Sequence, residues 1–301
     1  MTDSPFLDAA RQGRGHGWLY IIGHGFILFS WLIIGSVMTV AALLMLGGVD
    51  ALAGFENLPA EQMFIAANVS FVPLILAIVL FVWLAHGRSP KSLVTPFARV
   101  DWGRMGLAFV FWMLLAGLVS LVEYLIWPET FHFNLEPARY LAFLALPLLL
   151  TPLQILAEEL YFRGYLLQSL GLITRNRIIL VLLSGFLFLL PHLANPELYL
   201  GEDAISNFIL TALFYLLFGG LTAWATLKDN SMKVAIGAHA ANNLYVGLFV
   251  NFEGSALPTP AMVMTSHYDA FFNLVAFCVG VLIFAVLMFK VFTKKSPAEN
   301  Q

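Results

Sequence analysis

The chain has a single cysteine, Cys278, in 301 residues. That excludes an internal disulfide framework and any multi-cysteine metal site. Charge is equally scarce: Asp, Glu, Lys and Arg together make up 11% of the sequence, against about 25% in soluble domains. There is no basic tract of the kind that tracks a nucleic-acid backbone, no internal repeat and no low-complexity segment. The apolar run that follows Arg11 and Arg14 is too long for a signal-peptide core, and no clean cleavage site follows it, so it reads as a first membrane span.

What remains is apolar. Hydrophobic residues are 60% of the chain and the mean hydropathy is +0.85. About 20 apolar residues cross a bilayer as a helix, and eight segments qualify as candidates: roughly 18–46, 69–86, 104–127, 139–168, 177–193, 205–227, 233–251 and 270–292. Loop charge orients them. With the N-terminus in the cytoplasm, Arg11, Arg14, Arg88, Lys91, Arg99, Arg104, Arg175, Arg177, Lys228, Lys233, Lys290, Lys294 and Lys295 all fall on one side. Arg139 is then the only basic residue in an outer loop. The other loops hold Asp50, Glu56, Glu61, Glu129, Glu136, Glu197, Glu202, Asp203 and Glu253. The expected fold is an all-α, polytopic membrane helix bundle of about eight transmembrane helices with both termini cytoplasmic. It divides into a cytoplasmic N-terminal tail (1–17), three spans (18–138), a core carrying the chemistry (139–251), and a last span with its tail (252–301). The acidic stretch 47–68 reads as an outer loop with one short helix. The segment 86–104 reads as lying along the inner headgroups. The tryptophans fall mostly near span ends, where an aromatic belt is expected.

Three polar interruptions fall in the C-terminal half. The first is Glu158-Glu159-Leu-Tyr-Phe-Arg163. Charge inside a membrane is costly and usually functional. Glu159 and Arg163 stand four residues apart on one helical face, with the glutamate N-terminal, the favoured order. A pair between them would let both charges sit in a low-dielectric place. Glu158 points about 100° away and is the carboxylate free for chemistry. The second interruption is Phe188-Leu-Leu-Pro-His192, where the aromatic ring can pack under the imidazole one turn later. The third is His239-Ala-Ala-Asn-Asn243, with His239 and Asn243 on one stripe and Asn242 turned away. Read singly, a span-end histidine facing water or an inter-helix hydrogen bond explains the last two. His24 among glycines needs no more than a hydrogen-bonding neighbour, and Glu123 reads as snorkelling from a span end. Together the three interruptions hold a carboxylate, two imidazoles and an amide. A carboxylate and an imidazole can take a proton from water. An imidazole and an amide can donate to an oxyanion.

These motifs resemble the EExxxR, FxxxH and HxxxN motifs of the CPBP family, the CAAX-protease and bacteriocin-processing intramembrane proteases. Order and spacing also match, over about residues 139–251. The resemblance implies an intramembrane endopeptidase in which Glu158 and His192 activate water and His239 and Asn243 form an oxyanion site. Glu159 and Arg163 would hold the cavity together, with Phe188 as further support. It implies membrane lipid and a peptide or protein substrate as partners, no nucleic acid, and a multi-pass protein of a prokaryotic inner or plasma membrane. Family members are often labelled metalloproteases, whereas the eukaryotic CAAX enzyme suggests a metal-free glutamate mechanism. No cofactor is favoured here. Zinc on His192, His239 and Glu158 is the alternative, a usual three-ligand catalytic set. Against it, no second carboxylate is evident to orient the histidines, since Glu159 is assigned to Arg163, and Asn243 would have no job in a closed zinc shell. Two other classes compete with the protease: a non-catalytic immunity or scaffold protein on the same fold, and a proton-coupled transporter. The first predicts decay of a motif, and all three are intact. The second predicts inverted repeats, and none is found.

Overall fold

The structure is a computed structural model, described here for residues 4–49, 58–201, 203–257 and 259–293. Asp50, Glu56, Glu202, Lys294 and Lys295, used above to orient the chain, lie outside the described residues. In lipid every backbone polar group must be satisfied within its own segment, which leaves the helix as the solution for an apolar chain. Among the described residues, six helices are long and apolar enough to cross a membrane: α1 (Gly17–Gly47), α2 (Ala60–Ala85), α3 (Trp102–Ile126), α4 (Pro137–Ile173), α6 (Ala204–Asp229) and α8 (Ala270–Val291). Two helices of 16 residues, α5 (Arg177–His192) and α7 (Lys233–Leu248), complete the bundle. The protein is an integral, multi-pass helical membrane protein. All eight expected segments are helical, but α5 and α7 fall short of a full span, and they carry the second and third motifs.

Helix starts are marked by capping side chains that accept from free backbone amides: Asp101 for α3, Asn176 for α5, Asp203 for α6 and Asp269 for α8. α2 begins at Ala60, nine residues before the sequence places it. The stretch assigned to an outer loop is therefore helical from that point. Its Phe64, Ala66 and Asn68 are buried, but Glu61, Gln62 and Asn68 lower the mean hydropathy of this start to that of a loop. α4 spans 37 residues, about 55 Å at 1.5 Å per residue. It contains Pro147 and Pro152, and it widens to a π-helical stretch at Leu160–Leu166, just after the paired glutamates.

Small residues set the close crossings. A Cβ on Gly185 of α5 would lie 2.5 Å from the Leu216 carbonyl oxygen, and one on Gly219 of α6 would lie 2.7 Å from Phe188 Cβ. This contact presses the Phe188–His192 turn onto α6. A Cβ on Gly237 would lie 2.3 Å from the Met105 carbonyl oxygen, so α7 lies directly on α3. The two run parallel: Gly237 meets Met105, Asn242 meets Trp112 and Gly117 meets Tyr245. Two strands after α7 join one from the α3–α4 connection in a small sheet of order β1-β3-β2, from Phe131–Phe133, Val263–Thr265 and Val250–Phe252, antiparallel on one side of β3 and parallel on the other.

The membrane-flanking segments on the arginine-rich side are packed rather than loose. Phe6, Leu7, Ala9 and Ala10 are buried, although the sequence reads residues 1–17 as a tail. Asp8 pairs with Arg175 at 2.7 Å. His86 and Arg88, expected in a headgroup loop, are also buried. Arg88 donates to the Ala9 carbonyl, Ser92 Oγ and Gln168 Oε1. Asp229 draws together Arg104 at 2.7 Å and Lys233 at 3.3 Å. Cys278 is exposed on the bundle surface.

In a Cys278→Ser background, a membrane-impermeant maleimide applied to intact cells should label His132→Cys and should reach Arg99→Cys only after lysis. The reverse pattern would invert the topology derived from loop charge.

Candidate active site

Glu158 and Glu159 sit where α4 turns into its π-helical stretch, a geometry frequent at functional sites. Glu159 is fully buried, at 0% exposure. Its Oε1 lies 3.3 Å from Arg163 NH1 and accepts a hydrogen bond from His239 Nδ1 at 2.8 Å. Arg163 reaches across to α6, where Nε and NH2 donate to Thr222 Oγ1. Its guanidinium lies 4.2 Å from the centre of the Phe188 ring, within cation–π range. One carboxylate and one guanidinium therefore tie α4, α5, α6 and α7 together. This corrects the assignment of Glu159 to Arg163 alone. The four-residue spacing describes one helix and is silent about a histidine arriving from another.

Each histidine has its tautomer fixed by what Nδ1 meets. His192 Nδ1 donates to the Phe188 carbonyl at 2.7 Å, since a carbonyl can only accept. The ring is held between Phe188 and Tyr215, at centroid distances of 4.3 and 4.4 Å. Its Nε2 lone pair is left free. His239 gives its Nδ1 proton to Glu159, and its Nε2 lies 3.7 Å from Glu158 Oε2, too long for a hydrogen bond. Glu158 Oε1 accepts from Gln154 Nε2 at 3.1 Å. Glu158 Oε2 is buried and has no hydrogen-bond partner.

Asn242 is not turned away from the site. Trp112 Nε1 donates to Asn242 Oδ1 at 3.2 Å, and Asn242 Nδ2 donates to Asn243 Oδ1 at 3.2 Å. An indole N–H can only donate, so the chain of bonds has one direction. It occupies the Asn243 oxygen and leaves the amide hydrogens of this cavity-lining residue out of the chain of bonds. Trp112, read as a belt residue, is buried.

Glu158, His192, His239, Asn242 and Asn243 all line one cavity of about 480 Å³. Sequence reasoning missed further residues of its wall. Glu197, read as an outer-loop acid, is buried. It accepts from the Tyr215 hydroxyl, from Asn195 Nδ2 at 3.3 Å and from the Ala256 backbone N–H at 3.0 Å. Burial pushes its carboxyl above the usual range, and these hydrogen bonds oppose the shift. Glu197 thus anchors the tyrosine that stacks on His192. Its one sequence signal is its position five residues after His192. Glu123, read as snorkelling, is buried and also lines the cavity. His24 sits elsewhere, bonded to Ser169 at 2.9 Å and Tyr161 at 3.3 Å.

The donor set has some features of a metal centre. Both histidines hand Nδ1 to an acceptor and keep Nε2 free, as zinc-binding histidines do. Glu159 is the orienting carboxylate that the sequence reading could not name, so that objection to zinc is corrected. Yet no three His, Cys, Asp or Glu side chains among the described residues converge closely enough to hold an ion. The residues as arranged do not fit a metal centre, and no step is routed through one.

The two glutamates should separate in stability. Glu159→Ala strands buried Arg163 and frees His239, and loss of one partner of a buried pair costs about 3–5 kcal/mol. Thermal unfolding of purified protein should show that loss for Glu159→Ala and little change for Glu158→Gln. Equal losses would contradict the division of labour.

The chain matches the family described as Rce1-like, type II CAAX prenyl endopeptidase, over residues 139–245, the stretch that holds Glu158, Phe188, His192, His239 and Asn243, the five motif residues that line the cavity. It is 32% identical over 230 residues to the uncharacterized protein YyaK of Bacillus subtilis (strain 168), covering 73% of each chain. No solved structure matches the chain. The motifs, the helical bundle around them and this relative place the chain in the CPBP family of CAAX-type intramembrane proteases.

Proposed function

We propose that the protein is an intramembrane endopeptidase that hydrolyses a peptide bond in a membrane-associated or membrane-delivered protein, working in a prokaryotic inner or plasma membrane. The observation that carries this reading is the convergence on one cavity of a carboxylate oxygen without a partner, Glu158 Oε2, and an imidazole nitrogen with a free lone pair, His192 Nε2. A water held between them is oriented by His192 and gives a proton to Glu158 as its oxygen attacks the scissile carbonyl carbon. The carbonyl oxygen becomes an oxyanion. The Asn243 amide donates to it. His239 donates from Nε2 when its ring carries both protons, with Glu159, bonded to its Nδ1, as the countercharge. Collapse of the tetrahedral species breaks the C–N bond, and the proton held by Glu158 passes to the leaving amine. Glu159 and Arg163 keep His239 in place throughout, and Tyr215 keeps His192.

A membrane-proteome library incubated with wild type and with Glu158→Gln tests this reading. New termini should appear with wild type and disappear with the variant, at unchanged folding. Identical libraries would favour a non-catalytic scaffold.

Any substrate found this way then tests the oxyanion site. Losing one oxyanion donor costs about 10²–10³ in kcat. Asn243→Ala should show that loss with little change in KM. Asn242→Ala, which removes the bond orienting Asn243, should lower kcat by a smaller factor. A change confined to KM in both variants would move the pair from transition-state stabilisation to substrate binding.

A further inference from the structure

The cavity contains a second carboxylate that the mechanism does not use. Glu123 lies three residues before the end of α3 and is 8% exposed. It lines the same cavity as Glu158 and His192. Among the described residues, no donor is hydrogen-bonded to it and no cation is paired with it. Asp269 is close enough to repel it, and Tyr245, whose hydroxyl bonds Ser120, is a further neighbour. No lysine or arginine lines the cavity among the described residues. A carboxylate held in a low-dielectric wall without a partner is costly. A positive group entering the cavity offsets that cost and gains an ion pair at a wall where screening is weaker than in bulk water.

The helix sets the distance. Glu123 is eleven residues from Trp112, three turns along α3, so both face the cavity on one stripe. The axial rise between them is about 16 Å. Trp112 marks the level of Asn242 and the catalytic groups. An extended peptide advances about 3.3 Å per residue, so that gap accommodates about five residues.

We propose that Glu123 is a subsite for a basic side chain of the substrate, lysine or arginine, about five residues from the bond that is cut. The proposal rests on the proteolytic reading above and adds a chemical class of substrate to it. Glu197 does not compete for this role, because its oxygens already accept from Tyr215, Asn195 and Ala256.

The test is the same proteome library, read for the residues around each Glu158-dependent cut. Wild type should enrich Lys and Arg at one position four to six residues from the cut, roughly tenfold or more over neutral residues, as expected for a desolvated charge pair. Glu123→Gln should abolish that enrichment, and Glu123→Lys should replace it with a preference for Asp and Glu. A second measurement does not need turnover: thermal stabilisation of Glu158→Gln protein by a synthetic peptide taken from a recovered cut site. The peptide with lysine at the enriched position should stabilise more than its norleucine analogue, and adding Glu123→Gln should remove the difference. No positional enrichment of basic residues, or an enrichment unchanged in Glu123→Gln, overturns the subsite and leaves the protease standing. The absence of any Glu158-dependent cut overturns both.

Discussion

A single fully buried carboxylate, Glu159, governs the arrangement of the core. Its Oε1 meets a guanidinium from its own helix and an imidazole from another. A charge with no access to water is tolerable only with such partners. Meeting them fixes the rotation of α4 against α7, and through Arg163 and Thr222 the rotation of α4 against α6. Phe188 completes the arrangement, because its ring packs under the guanidinium on one side and beside His192 on the other. The same contacts that make the charge bearable therefore aim Glu158, His192 and His239 at one cavity. Structure and chemistry share residues here, so a substitution at Glu159 cannot change one without the other.

The two short helices fit this picture. α5 and α7 are each 16 residues, about 24 Å long, against a hydrocarbon core of about 30 Å. Too short for a full crossing, α5 leaves the helical state at membrane depth at His192, and α7 at Leu248, five residues past Asn243. Irregular backbone at that depth is tolerated where it is buried in protein or lines a wet cavity. The turn around Glu197 and the strands after α7 meet that condition: Glu197, Asn251, Thr265 and Tyr268 all border the cavity. A peptide bond can be hydrolysed in a membrane only where water is held, and the shortened helices give that space.

Some of this was readable in the sequence and some was not. Hydropathy and loop charge describe the bundle because they report what each segment is made of. The four-residue spacing brings Glu159 to Arg163 and Phe188 to His192 because both members of each pair lie on one helix. Periodicity does not say which neighbour a face meets. His239 reaching Glu159, Trp112 reaching Asn242, and Glu197 folding inward to Tyr215 are contacts between elements far apart in the chain, so none had a local signature. Glu123 was misread for a related reason: position near a helix end suggests water, and only packing shows that this end is covered. The start of α2 was missed because Glu61, Gln62 and Asn68 interrupt residues 60–68, and hydropathy averaging scores such a stretch as loop.

The central claim is that Glu159 holds His239 by its Nδ1 proton. Solid-state ¹⁵N spectra of ring-labelled histidine in lipid bilayers read that proton directly, with His239 assigned from its loss in His239→Gln. The account predicts a strongly hydrogen-bonded Nδ1–H for His239 that shifts in Glu159→Gln, while the His192 Nδ1–H, bonded to the Phe188 carbonyl, stays where it was. A His239 signal indifferent to Glu159→Gln would contradict it.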